Sequence, residues 1–216
     1  EENATQFIKN DGLSYLLTYL QNPADADANS IKIKITICRI LRNIALEKKT
    51  AEILCEREEL DDVITSLLIN ADYATEIFYE SVKFVNALIT TLQSGGAFNK
   101  NLNKLMGGLE ERNLFNILVD ALEMDYEVNV ESNKYIVEIN AQIAAIINAY
   151  ILSKDTDIRN IIFAQADQFD PESFIPSKLI QASFVTPSPA LTYYTNSIFF
   201  NCMDAPVNGV IVKKIL

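Results

Sequence analysis

One short pattern constrains the fold of this chain more than any other. An asparagine recurs inside an apolar helical run. It stands as Leu41-Arg42-Asn43-Ile44-Ala45, Val85-Asn86-Ala87-Leu88 and Ile147-Asn148-Ala149-Tyr150, with a weaker copy at Phe199-Phe200-Asn201-Cys202. The intervals are 43, 62 and 53 residues. A polar turn followed by an apolar helix precedes each of the first three: Lys9-Asn10-Asp11-Gly12-Leu13, Arg57-Glu58-Glu59-Leu60 and Glu111-Arg112-Asn113-Leu114. From each of these leucines to the next asparagine the distances are 30, 26 and 34 residues. A period of about 43 falls in the range of helical solenoid repeats, in which each unit buries its apolar face only against its neighbours. The longer third interval contains the acidic stretch Glu123 to Glu131, which reads as an insertion.

Periodicity supports a helical reading from Gln6 to Phe163. Leu13, Leu16, Leu17 and Leu20 form an i, i+3, i+4, i+7 stripe, as do Leu60, Val63, Ile64 and Leu67, and Leu114, Ile117, Leu118 and Ala121. Breaks are expected at Asn22 to Ser30, Asn70 to Ala74, Gln93 to Asn99 and Asp125 to Asn133. Ile31, Ile33, Ile35 and Ile37 alternate with polar residues, which is a strand pattern. Ile37, Ile40, Leu41 and Ile44 then continue at helical spacing, so the segment is expected to be helix.

Composition excludes several functions. The 216 residues include no histidine and carry a net charge of −11. Without histidine the commonest general base and metal ligand are missing. No carboxylate or tyrosine constellation can be assembled for catalysis, so the chain is expected to be no enzyme, with no metal and no cofactor. An acidic chain is a poor partner for nucleic acid, which needs clustered Lys and Arg. Three scattered cysteines, Cys38, Cys55 and Cys202, lie among apolar residues and read as buried thiols of a cytoplasmic protein. No apolar run reaches the roughly 18 residues that span a bilayer. The charged N-terminus is not a signal peptide, and the missing initiator Met and apolar Ile215-Leu216 end suggest a piece of a longer chain.

Asn-Ile-Ala after an apolar helix resembles the third helix of an armadillo repeat. In that family the asparagine points into a groove and can hold an extended partner peptide. A side-chain amide suits that role because it both donates and accepts. Ile37 to Ile69 resembles more closely the armadillo-like regulatory region of diaphanous-related formins. There an Arg-x-Leu-Lys helix precedes a helix ending in a buried Leu and an acidic turn. The matching residues are Arg39-Ile40-Leu41-Arg42 and Ile53-Leu54-Cys55-Glu56-Arg57-Glu58. Phe84-Val85-Asn86-Ala87-Leu88-Ile89-Thr90 and the following Leu102 to Leu122 are similar to formin segments as well. Ile143 to Gln165 looks like the armadillo region of the ELMO engulfment scaffolds. Formins that bind Rho carry paired asparagines after the first helix, where this chain has Leu46 and Glu47.

The resemblance covers residues 3 to 165. It implies an all-α, right-handed armadillo/HEAT-like solenoid of three repeats over 1–168, with a Pro- and aromatic-rich helical cap or partial repeat over 169–216. It implies a regulatory scaffold that docks a Rho-family small GTPase or an autoinhibitory segment and so controls actin assembly. The alternative is a general peptide-binding adaptor, such as a chaperone cofactor or transport receptor. Asn43, Asn86 and Asn148 would line the groove, with Arg39, Arg42 and Lys83 as a basic stripe about one helical turn away. Each buried amide needs a partner, since an unpaired one costs about 1–3 kcal/mol.

Five of the six prolines lie in the last 47 residues. Pro189 to Met203 and Val207 to Ile215 read as short helices there, the first with Pro near its start. Some patterns are decoys. Asp25-x-Asp27-x-Asn29 starts like a calcium loop, but Ser30 and Thr36 stand where Gly and Glu are needed. Gly107-Gly108, read as preceding a helix, lacks the Gly-Lys of a phosphate loop. Glu58, Glu59, Asp61 and Asp62 fit a helix start, where acids favour the macrodipole. Tyr126 and Tyr135, flanking the acidic insertion, read as half-buried anchors.

Overall fold

The computed structural model describes residues 6–8, 10–21, 27–69, 71, 75–94, 100–122, 130–152, 175–185 and 187–203. All regular structure among them is helical. The helices are α1 (Gly12–Gln21), α2 (Ala28–Ala45), α3 (Lys48–Cys55), α4 (Leu60–Ile69), α5 (Glu76–Gln93), α6 (Lys100–Glu111), α7 (Leu114–Ala121), α8 (Val130–Leu152), α9 (Ile175–Val185) and α10 (Pro189–Met203). Their lengths follow an order. Short α1 precedes the 18-residue α2; short α3 and α4 precede the 18-residue α5; short α6 and α7 precede the 23-residue α8.

Local chemistry sets several boundaries. Asp27 caps α2, its carboxylate accepting from the backbone N–H of Asn29 at 2.7 Å and of Ser30 at 3.0 Å. The expected break at 22–30 therefore ends earlier, because an aspartate with free N–H groups ahead of it starts a helix. Thr75 caps α5 through the Phe78 N–H. Gly12, Leu60 and Leu114 open helices after the three polar turns. Asp11 and Asn113 occupy the same place in their turns, immediately before a helix, and both have φ of 61°. Short polar side chains tolerate that left-handed region better than most.

Two expectations need correcting. Gly107 and Gly108 lie inside α6 rather than before a helix. Residues 130–133 of the expected break at 125–133 are helix, since α8 spans Val130–Leu152; no Gly or Pro interrupts them, and 125–129 lie outside the described residues. Leu46 and Glu47 separate α2 from α3 without any punctuating residue. There Thr50 Oγ1 donates to the Ile44 carbonyl, which the break takes out of the helical ladder, and to the Glu47 carbonyl, which also accepts from the Ala51 N–H. The segment alternating at Ile31 to Ile37 is helix, with Ile35 and Ile37 buried and Ile31 and Ile33 exposed.

The chain divides into two compact units, Glu1–Ile117 and Leu118–Leu216. In the first, α2 packs along α5, α1 on α4 and α3 on α6. Its core comes from the expected stripes: Leu13, Leu17 and Leu20 of α1 and Leu60, Val63, Ile64 and Leu67 of α4 are buried, with Leu16 half-buried. In the second unit α10 packs along α8 and α9 on α10. Residues 143–150 of α8 are buried one after another, on every side of the helix. Pro189 starts α10 as its ring favours. The expected boundary at 168/169, the Val207–Ile215 helix and Tyr126 lie outside the described residues.

Candidate functional site

A dense polar arrangement lies where α2 meets α5. Small side chains let the two helices approach. Cys38 Sγ is 3.7 Å from Ser81 Oγ, and the two are 43 residues apart, the interval that separates Asn43 from Asn86. Ser81 also bonds back to the Ile77 carbonyl at 2.7 Å. Burial pushes the Cys38 thiol up to about 11, with the Ser81 hydrogen bond opposing.

Beside this contact, Glu80 of α5 sits with only 5% of its side chain exposed. Three cations surround it. Arg39 Nε donates to Oε1 at 3.1 Å, Arg42 Nη1 to Oε2 at 3.1 Å, and Lys83 Nζ lies 3.8 Å from Oε1. Arg39 Nη2 also donates to Glu76 Oε1 at 2.6 Å. A buried carboxylate is tolerable only when its lone pairs are taken up in this way. Lys83 lies over the Tyr79 ring, 4.4 Å from its centroid, in a cation–π contact. Burial lowers the Lys83 pKa, Glu80 opposes the change, and Arg42 and Arg39 add to it. Glu80 raises the Arg39 pKa above its ordinary value, first through their hydrogen bond.

The expected bases are thus brought together, though as members of an ion cluster with two acids rather than as a stripe of bases. Sequence reasoning missed Glu76 and Glu80. One signal was present: Glu80 is a lone charge between Phe78 and Val82, both buried.

The asparagines occupy three environments. Asn43 is exposed on α2. Asn86 is half-buried on α5, and its Oδ1 accepts from Thr90 Oγ1 at 3.2 Å. Asn148 belongs to α8 in the second unit, is 8% exposed, and its Oδ1 has no hydrogen-bond partner among the described residues.

A second polar set ties α4 to the end of α6. Arg112 lies 2.9 Å from Asp62 Oδ1 and 3.9 Å from Asp61 Oδ2. A Cβ at Gly108 would collide with the Asp61 carboxylate unless that side chain turned aside. Burial raises the Asp61 pKa, against Arg112 and Lys104. Lys104 Nζ donates to the Cys55 carbonyl at 3.2 Å, joining α6 to the last turn of α3. Burial pushes the Cys55 thiol up to about 12.

These groups can bind but are poorly suited to covalent chemistry. Thiols held above the ordinary range are weak nucleophiles at neutral pH. Among the described residues no group of three or more Cys, Asp or Glu is placed to hold a metal ion. No helix among them is long and apolar enough to cross a membrane. Compared with known protein families, curated proteins and solved structures, the chain matches none.

Proposed function

We propose that this chain is a protein-binding scaffold of stacked, right-handed armadillo-like repeats, with the outward faces of α2 and α5 as its docking surface. One observation carries the reading. Helices at corresponding places, counted back from the long helix that ends each set, pack on one another: α1 on α4, α2 on α5, α3 on α6. Cys38 and Ser81, one repeat apart, touch. Stacking of like on like is how a solenoid buries its core, and it leaves one helix of each repeat free to line a continuous surface.

The partner proposed first is a Rho-family small GTPase or an autoinhibitory segment, in a formin-like regulator of actin assembly. Its support is the similarity of Arg39-Ile40-Leu41-Arg42 and Phe84 to Thr90 to formin segments. A pulldown of the full chain with GTP- and GDP-loaded Rho-family proteins tests it. Retention with GTP alone is expected; no nucleotide-dependent retention overturns the GTPase reading.

The second reading is an adaptor for extended peptides. The exposed amide of Asn43 and the half-buried one of Asn86, on helices packed together, favour it. An amide can pair with a peptide backbone in either direction.

A further inference from the structure

The outward stripe of α2 runs through Lys32, Thr36, Arg39, Asn43 and Leu46, spaced at i, i+4, i+7, i+11 and i+14, and all five are exposed. Beside it, Glu76, Tyr79, Lys83 and Asn86 of α5 are each half-buried. Four bases (Lys32, Arg39, Arg42, Lys83) stand here with two acids, on a chain whose net charge is −11. The surface is locally positive on an acidic molecule.

The two acids are not equivalent. Glu80 is buried and holds Arg39, Arg42 and Lys83 from below, so their positions are fixed before any partner arrives. Glu76 is 39% exposed and bonds only the outer nitrogen of Arg39, whose side chain is itself 47% exposed. A pair that open to water contributes little to stability and is readily exchanged. Exchange at Arg39 would leave the guanidinium where Glu80 already holds it, so little ordering cost is added.

We infer that the α2/α5 face recognises an acidic segment of a partner protein, one of whose carboxylates takes the place of Glu76 on Arg39. This rests on the scaffold reading and names the chemistry of its partner. Leu46, 64% exposed, lies seven residues beyond Arg39 on the same stripe. Two helical turns span about 10 Å. Three residues of polyproline-II backbone rise about 9 Å and return the side chain to the same face. The matching segment therefore carries an Asp or Glu three residues from a large apolar side chain. A polyanion such as nucleic acid fits less well, because it needs many phosphates neutralised and the net charge of the chain repels it.

The test pans a phage-displayed library of random dodecapeptides on the full chain, and measures the affinity of one selected peptide made synthetically. Enrichment of Asp or Glu three residues from an apolar residue is expected. Replacing that acid by its amide in the peptide, or Arg39→Gln in the protein, is expected to weaken binding about tenfold or more, the scale of a lost charge-assisted hydrogen bond. Glu76→Gln, which removes the competitor, is expected to tighten it severalfold. The peptide substitution leaves the protein intact, so misfolding cannot imitate it. An acid-free consensus whose binding depends on Asn43 and Asn86 overturns the acidic partner and keeps the scaffold. An acidic consensus indifferent to both the amide peptide and Glu76→Gln overturns the placement at Arg39. No enrichment on this face overturns both readings.

Discussion

Glu80 shows how differently two acids on one helix act. Its carboxylate is buried beneath three cations, whereas Glu76, one turn earlier, meets a single exposed guanidinium. Glu80→Ala leaves Arg39, Arg42 and Lys83 facing one another without their common anion. The cations left behind are partly exposed, so the loss is that of a charged group's hydrogen bonds, about 1.5–3 kcal/mol. Glu76→Ala removes an exposed pair, worth about 0–1 kcal/mol. Urea unfolding of the two variants is expected to show this contrast, and equal losses would contradict the account of the cluster. The bases of the cluster were legible in the sequence because Arg39 and Arg42 stand in a recognisable helix. The acids were not, because which acid faces Arg39 depends on how α2 and α5 pack. Asn148 was equally illegible: an asparagine in an apolar helix reads the same whether it lines a groove or, as here, sits in a stretch of α8 buried on all sides.

At the scale of elements, helix starts were easier to read than helix ends. Gly12, Leu60 and Leu114 follow polar turns whose residues favour non-helical backbone, and that preference is local. The break at Leu46 and Glu47 has no Gly or Pro and is held by the Thr50 hydroxyl, a contact no residue pattern announces. Gly107 and Gly108 misled for a related reason. Inside α6 a glycine costs about 1 kcal/mol relative to alanine. A Cβ at Gly108 would meet the Asp61 carboxylate of α4, while one at Gly107 would meet nothing within 4 Å. Gly107→Ala is therefore expected to stabilise the chain by about 0.5–1 kcal/mol. Gly108→Ala is expected to fall short of that gain, because the Asp61 carboxylate must turn aside to admit the methyl group. Thermal melts of the pair check the contrast. Equal gains in both would mean that the Asp61 carboxylate does not crowd Gly108.

For the whole molecule, the repeated order of short, short and long helices was legible through the asparagine and turn motifs, and like helices in the first unit pack on one another. The proposed docking surface, by contrast, rests on side chains that do nothing for the core. Asn43 is exposed, and the Asn86 amide accepts from Thr90, an exposed residue on its own helix. The Asn43→Ala/Asn86→Ala double variant tests this most directly. Its melting temperature, and its affinity for a peptide or GTP-loaded Rho-family protein that the parent chain retains, are measured side by side. The melting temperature is expected to stay within about 4 °C of the parent, the shift that roughly 1 kcal/mol produces in a chain of this size, while affinity falls about tenfold. A variant that melts far lower yet binds as the parent does would contradict the proposed docking surface.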